Sequence, residues 1–316
     1  MIYSIRHITS FSYEPGVRES VMEVRMQPRS EGRQRCLTFS LDVAPNANIM
    51  EYQDYLGNSV QHFDIPGRHC RVDLRAQALV EIQEAAAPCA SDAGRWQELD
   101  AQIATGDYWE TLSPSHYAQP SEALERFSSE LHLHRCENPF EFLLQVNEAM
   151  YQAFEYVPNS TAVDSPISDA LLTRQGVCQD FAHIMITLLR QFHIPSRYVS
   201  GYLAHRAEGK DRSVDGATHA WVEAFLPGLD WVAFDPTNNL VGGERHIRVA
   251  IGRDYADVPP TRGVYKGEAE SGLTVSVTVR PADAPRPEEL APLTVVRSRP
   301  ARRKELQEFH YEQQQQ

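Results

Sequence analysis

The 316-residue sequence lacks several features that would assign a class of protein at once. No segment approaches the roughly 18 consecutive apolar residues that a transmembrane helix needs. Basic residues are outnumbered, with 30 Lys and Arg against 43 Asp and Glu, which gives a net charge of −13. An acidic chain does not favour nucleic acid or anionic lipid as a partner. We therefore predict that the protein binds neither nucleic acid nor a membrane.

Cysteines are few, odd in number and widely spaced: Cys36, Cys70, Cys89, Cys136 and Cys178. A disulfide framework is not expected from such spacing, and a reducing cytoplasm fits it best. The N-terminus has no apolar run behind a charged start, so no secretory signal is predicted either. Residues 131–136 (LHLHRC) match no structural zinc spacing. We expect no metal and no cofactor.

The first part of the chain has the pattern of an antiparallel β-structure. Residues 3–8, 37–43, 59–63 and 72–82 form short runs that largely alternate between apolar and polar residues, with turn signals between them. Gly57 and Asn58 form one such turn signal, because both tolerate positive φ. Residues 1–85 are therefore predicted to form an antiparallel β-sandwich, and the breaker-rich residues 86–120 a connector.

From Ser121 onward the periodicity becomes helical. Ser121 is a candidate N-cap, and residues 140–156 form a second predicted helix. After Cys178, six apolar residues recur at offsets 0, 3, 4, 7, 8 and 11, which is the core-facing stripe of a helix: Phe181, Ile184, Met185, Leu188, Leu189 and Phe192. Three strands are predicted next, over residues 197–204, 217–226 and 231–235. We take residues 121–250 as the core and 251–316 as a C-terminal extension with a strand at 273–279 and a frayed tail at 313–316.

Cys178 is the best candidate for a nucleophile. It follows Gly176, which permits a tight approach to the helix, and it falls in the first helical turn. Unpaired N–H groups and the helix dipole favour an anion there, so the thiolate form is favoured and an oxyanion can be held. A free cysteine is more often a small buried hydrophobe, and position alone does not decide between these interpretations.

His219 and Asp235 turn the cysteine into a catalytic hypothesis. A three-residue hairpin loop at 227–229 would place Trp221 opposite Asp235, with His219 as the diagonal neighbour on the same face. A loop of two or four residues without a bulge would put them on opposite faces. With the odd loop, His219 would exchange a proton with Cys178, and Asp235 would orient the imidazole.

Four motifs together resemble the bacterial transglutaminase-like family: GVCQDFA at 176–182, YVSGY at 198–202, THAWVE at 218–223 and WVAFDPTN at 231–238. Residues 7–9, 11–13, 28–29 and 54–58 resemble the β-rich domain that precedes this core in bacteria, and residues 252–258 resemble the segment after it. The resemblance implies an α+β chain in which a papain-like core, with helices packed on an antiparallel sheet, follows the N-terminal β-sandwich. It implies Cys178, His219 and Asp235 as the catalytic residues, and a thioester formed from a carboxamide.

The resemblance leaves the reaction open among amine transfer, deamidation and peptide hydrolysis on a protein or peptide substrate, with an amine as a possible acceptor. The backbone N–H of Cys178 is the oxyanion donor that the sequence suggests. Animal transglutaminases depend on calcium, but the sequence contains no EF-hand loop. The alternative is a non-catalytic binding or scaffold protein that has kept the fold.

Overall fold

Long antiparallel strands build the N-terminal part of the computed structural model, which describes residues 1–84, 86–206 and 211–283. Four strands follow one another here: β1 (Ile2–Val24), β2 (Gln34–Ala44), β3 (Met50–Gln53) and β4 (Ser59–Ile82). The alternating burial of β1 and β4 reflects the period-2 pattern of their sequences, with one face turned to a core. The predicted frayed tail at residues 313–316 lies outside the described residues.

Helices and short strands come next: α1 (Trp96–Thr105), α2 (Trp109–Leu112), α3 (Glu122–Glu130), α4 (Pro139–Ala153), β5 (Glu155–Tyr156), α5 (Ile167–Thr173), β6 (Gln175–Gly176) and α6 (Cys178–Gln191). The hydroxyl of Ser121 accepts a hydrogen bond from the Leu124 N–H at 3.2 Å, so the predicted N-cap of α3 is present. α1 and α2 lie in the segment predicted to be a connector, where Trp96 and Leu99 are buried. No helix in the described residues is both long and apolar enough to cross a membrane.

The second sheet carries the motifs of the core. Its strands are β7 (Ser196–Leu203), β8 (His219–Leu226), β9 (Asp230–Asp235), β10 (Leu240–Val241) and β11 (His246–Gly252). They are ordered β10-β9-β8-β7-β11, and every pairing is antiparallel. α6 packs against β7 and β8, and its apolar stripe from Phe181 to Leu189 is buried. The predicted fold class is confirmed: an antiparallel β-rich region is followed by helices packed on an antiparallel sheet.

The last described strands return to the first sheet. After a 3₁₀ turn at Tyr255–Asp257, β12 (Thr261–Tyr265) pairs with the second half of β1 and β13 (Glu270–Pro281) with the first half. The strand predicted at residues 273–279 lies within β13. β1 and β4 are each long enough to pass through both halves of this sheet, with a register shift between Ser12 and Glu19. The extension after the core therefore completes the N-terminal sheet.

The N-terminal sheet also packs on the edge of the core sheet. Tyr202, Ile247 and Val249 are buried in the same apolar cluster as the N-terminal strands. Two side-chain amides from the N-terminal part bind the backbone of edge strand β11. Gln34 bonds both the N–H and the C=O of Arg248, at 2.8 and 2.7 Å. Asn58 bonds both backbone groups of Ile251, at 2.8 and 2.9 Å. The free edge of β11 is thus partly covered.

Candidate active site

Cys178 is the first residue of α6. Asp180 caps this helix end, because its Oδ2 accepts a hydrogen bond from the Val177 N–H at 2.8 Å and another from the Thr161 hydroxyl at 2.6 Å. A Cβ atom on Gly176 would lie 2.9 Å from the same Oδ2. A larger residue would push the Asp180 carboxylate aside, so glycine permits the close approach that the sequence predicted. The N–H of Cys178 occupies the first helical position, where the helix itself supplies no acceptor.

The Cys178 thiol is partly exposed, in contrast to the buried Cys36. Burial raises the pKa of Cys36 to about 12, so that thiol stays protonated. Cys70 and Cys89 are exposed on the surface, and Cys136 is half-buried. Cys178 is the cysteine that lies both at a helix N-terminus and next to a buried histidine.

The β8–β9 hairpin has the register that the catalytic hypothesis requires. Phe225 pairs with Trp231 and Leu226 with Asp230, which leaves a three-residue loop at 227–229. Gly228 supplies the positive φ of +82° that this tight loop needs. With this register, His219 and Asp235 lie on one face, and the His219 Nε2 bonds the Asp235 Oδ2 at 2.8 Å.

His219 and Asp235 are both buried, and each shifts the pKa of the other. Burial alone lowers the pKa of His219, but the charge of Asp235 and the hydrogen bond to it, assisted by Cys178, outweigh burial and raise it to about 10. Burial likewise acts to raise the pKa of Asp235, yet the charge of His219 and the hydrogen bonds from His219 and His246 hold it well below its usual range. The pair is therefore an imidazolium and a carboxylate at neutral pH.

The second ring nitrogen of His219, Nδ1, is left to face Cys178, because Nε2 is bonded to Asp235. This nitrogen is buried and has no regular hydrogen-bond partner among the described residues. The Cys178 contact contributes to the raised pKa of His219, although it lacks the geometry of a regular hydrogen bond. The structure thus brings together the three residues that the sequence singled out, in the order Cys178, His219, Asp235.

Asp235 has further partners that the sequence did not indicate. Its Oδ1 accepts from the backbone N–H groups of Thr237 and Asn238, at 3.0 and 3.2 Å. The Asn238 side chain donates to Oδ2 at 2.8 Å, while its own oxygen accepts from the Arg212 N–H at 2.7 Å. The motif WVAFDPTN contains Asn238, so only its role was missed. These bonds fix the carboxylate before it meets His219.

His246 is the functional neighbour that sequence reasoning missed altogether. It lies at the start of β11, beyond the recognised motifs, and its Nε2 reaches the Asp235 Oδ2 at 3.2 Å. Ligand-type atoms of His219, Asp235 and His246 all lie within 4.8 Å of one another, so the three also form a group with the donor types of a metal site. Hydrogen bonds within the group join both histidines to the Asp235 carboxylate.

Tyr156 lies close enough to Cys178 for the two side chains to interact electrostatically. β5 and β6 pair in parallel, which places Tyr156 opposite Gly176, two residues before the cysteine. Burial and then the charge of Cys178 raise the pKa of Tyr156 to about 12, against a hydrogen bond from the Val214 N–H. The phenol therefore keeps its proton at neutral pH. Its oxygen accepts from the Val214 N–H, and the hydroxyl keeps its own O–H as a donor.

Other polar residues near the motifs have structural partners. His183 is buried, and its Nε2 accepts from the Tyr255 N–H at 3.1 Å. Glu223 is buried in ion pairs with Arg197 and Arg248 at 2.7 and 3.3 Å. Trp221 is fully buried, 6.0 Å from the His219 ring and 5.2 Å from the His246 ring between centroids, and shields one side of the pair.

Two known families match separate parts of this chain. Residues 3–81 match the Bacterial transglutaminase-like N-terminal region, and residues 130–236 match the Transglutaminase-like superfamily. An uncharacterized protein of Mycobacterium leprae is 32% identical over 274 residues, which cover 86% of this chain and 96% of that protein. The chain belongs to the transglutaminase-like superfamily.

Two further relatives show how far the similarity extends. A protein-glutamine gamma-glutamyltransferase of Pseudomonas aeruginosa is 31% identical over 129 residues, but these cover only 36% of this chain and 18% of that protein. The crystal structure of a "putative cysteine protease" from Cytophaga hutchinsonii superposes with a TM-score of 0.68 and 24% identity, over 90% of this chain and 92% of that one. This second likeness shows that the whole two-sheet fold is shared.

Proposed function

We propose that this protein is a cysteine-dependent enzyme that transfers acyl groups from amide or peptide carbonyls through a thioester on Cys178. The observation that carries the proposal is the buried 2.8 Å bond between His219 and Asp235, together with an Nδ1 on the side of Cys178. An imidazolium held in this way stabilises a thiolate beside it and has a proton ready to donate.

The first half of the reaction follows from these positions. The Sγ of Cys178 attacks the carbonyl carbon of a carboxamide, and the C–O double bond opens to an oxyanion. His219 then gives its Nδ1 proton to the leaving nitrogen as the C–N bond breaks, which releases an amine or ammonia and leaves a thioester. Asp235 remains ionised throughout and keeps the Nε2–H of the ring oriented.

The second half decides the product class. An amine or a water molecule attacks the thioester, His219 accepts its proton, and the C–S bond breaks to regenerate the thiolate. A primary amine acceptor gives a new amide, water on a glutamine-derived thioester gives deamidation, and water on a main-chain thioester gives peptide hydrolysis. The access of water to the thioester separates these outcomes. A protein or peptide substrate fits all three.

Two groups are suited to hold the oxyanion. The N–H of Cys178 has no acceptor within its helix, and the Tyr156 hydroxyl, which interacts with Cys178, keeps its proton as a donor. Hydrogen-bond donors that are fixed in this way before the reaction make one of the largest contributions to the rate of acyl transfer. The sequence suggested only the first of them.

Selective alkylation separates this proposal from the scaffold alternative. The intact protein is treated with iodoacetamide at about pH 6, and the adducts are mapped by mass spectrometry. Cys70 and Cys89 are exposed and serve as internal controls for access. We expect Cys178 to react first, and to lose this advantage in His219→Ala. Labelling of Cys178 no faster than that of Cys70 would favour a non-catalytic protein.

Glutamine-containing peptides then distinguish the reactions. Ammonia release, incorporation of an added primary amine and main-chain cleavage are measured with the wild-type protein and with Cys178→Ala. Cys70→Ala removes an exposed thiol and is the matched control. A product that Cys178→Ala abolishes and Cys70→Ala leaves unchanged identifies the reaction. The cytoplasmic location predicted from the cysteines is tested separately by cell fractionation.

A further inference from the structure

The side chain of His246 reaches Asp235 across the core sheet. His246 is on the edge strand β11 and Asp235 on β9, and two strands lie between them in the sheet order. Its Nε2 is nevertheless 3.2 Å from the Asp235 Oδ2, the atom that also binds His219. Side chains from β11 and β9 therefore meet on one face of the sheet. The gap between these two strands, above β7 and β8, has to be free of large side chains.

Gly201 leaves this gap open. It pairs with His219 on one side and with Arg248 on the other, so it lies between the two strands that carry the histidines. A Cβ atom at this position would lie 2.5 Å from the Trp221 ring and 2.2 Å from the Ile247 carbonyl oxygen. Because glycine has no side chain, the indole packs over it and the imidazole of His246 rests edge-on against that indole, 5.2 Å between centroids.

The second nitrogen of His246 identifies the tautomer. Its Nδ1 accepts a long hydrogen bond from the Gly243 N–H at 3.4 Å. A nitrogen that accepts carries no proton, so the proton of the neutral ring is on Nε2 and is donated to Asp235. That proton occupies the lone pair that a metal ion would need. The bonds therefore favour a hydrogen-bonded group over a metal site made of His219, Asp235 and His246.

We infer that His246 is a positioning residue of the candidate site: it donates a hydrogen bond to Asp235 and holds the carboxylate where His219 needs it. Asp235 Oδ2 then accepts three hydrogen bonds, from His219, His246 and Asn238. The bonds from His246 and Asn238 leave the oxygen little freedom to move, so the His219 ring keeps one orientation. This inference rests on the proposed function, in which that orientation serves Cys178.

The test compares two substitutions at one site. His246→Phe keeps an aromatic ring and removes the donor, whereas His246→Gln keeps an N–H at a similar distance. His69 is as buried as His246, at 7% exposure, and lies in the N-terminal sheet bonded to Ser20. His69→Phe is therefore the control for the general loss of a buried histidine. Thermal unfolding confirms that each variant is folded.

Two readouts are measured in the folded variants. The first is proton NMR of the His219 Nε2–H, which requires no activity; we expect a shifted or broadened signal in His246→Phe and a near-native one in His246→Gln. The second is the rate of Cys178 alkylation or of acyl transfer, expected to fall about 10-fold in His246→Phe through misorientation and to recover in His246→Gln. His69→Phe should change neither readout.

The outcomes separate the two proposals. An unchanged His219 signal in His246→Phe overturns the positioning role, whether or not the protein is an enzyme. Equal loss in His246→Phe and His246→Gln overturns it as well. The His219 Nε2–H signal could instead shift in His246→Phe as expected while Cys178 of the wild-type protein is unreactive. That result refutes the proposed function but leaves the positioning role intact. The His219 signal or the reaction rate could also change after dialysis against a chelator and return with Zn²⁺. That result would overturn the positioning role and show that the three residues form a metal site.

Discussion

Removal of the Asn58 side chain tests how the N-terminal sheet supports the core. Asn58 is fully buried, and all of its polar capacity is used. Its oxygen accepts from the Ile251 N–H at 2.8 Å and from Arg29 at 2.7 Å. Its nitrogen donates to the Ile251 C=O at 2.9 Å and to Asp54 at 3.0 Å. Asn58→Ala therefore leaves a backbone N–H and a C=O of β11 without partners in a buried position.

The expected cost follows from these bonds. A buried donor or acceptor that loses its partner costs about 1–3 kcal/mol, and Ile251 loses two such partners. Partial repair by water or by Arg29 reduces the sum, so we expect a loss of about 3 kcal/mol in the free energy of unfolding. Since β11 also carries His246, the rate of Cys178 alkylation should fall along with the stability.

Thermal unfolding and hydrogen exchange measure the effect. The Ile251 amide is expected to exchange faster in Asn58→Ala, and the unfolding midpoint to fall by several degrees. Asn48→Ala makes the same chemical change at an exposed position and should stay within about 0.5 kcal/mol of the wild type. Equal stability of the two variants would refute the idea that this amide anchors β11.

Three further predictions concern the site itself. Burial lowers the pKa of His219, but Asp235 raises it to about 10. The contribution of this pair to the free energy of unfolding is therefore complete below pH 6.5 and is lost as the pH rises toward 10. Unfolding midpoints should fall over this pH range, and Asp235→Asn should flatten the dependence. Gly176→Ala should cost about 1 kcal/mol and slow the alkylation of Cys178, because the new Cβ displaces the Asp180 cap; native values for both would contradict this. Tyr156→Phe should lower kcat about 100-fold with little change in KM, and an unchanged kcat would exclude it as an oxyanion donor.

Local patterns were sufficient for the elements that carry the proposed triad. The apolar stripe after Cys178 predicted α6, because a helix that packs on a sheet must bury one face. Gly176 predicted a tight helix start, and the hairpin between His219 and Asp235 has the odd loop length that the catalytic hypothesis required. Each of these inferences joins residues that are close in sequence, so periodicity and turn chemistry determine the geometry.

Long-range contacts were out of reach for the same reason. His246 lies on a strand that no local pattern separates from the rest of the core, and nothing nearby in the chain marks it as a partner of Asp235. Tyr156 was assigned to the end of a helix, whereas it pairs with Gly176 in a short parallel ladder. α1 and α2 likewise lie in the segment that was predicted as a connector. The contacts of His246 and Tyr156 depend on which strands lie beside one another, and no local pattern encodes that order.

The sequence by itself determined the superfamily, the fold class and the candidate residues Cys178, His219 and Asp235. All three follow from the resemblance, and the motifs that carry the resemblance are short and continuous in the chain. Only the tertiary structure decided how their charges are held. It buried the His219–Asp235 pair, brought His246 across Gly201 to the carboxylate, and fixed β11 with amides from the N-terminal sheet. The burial of a side chain, its pKa and its hydrogen bonds depend on neighbours that are distant in the sequence. They are therefore set only when the chain has folded.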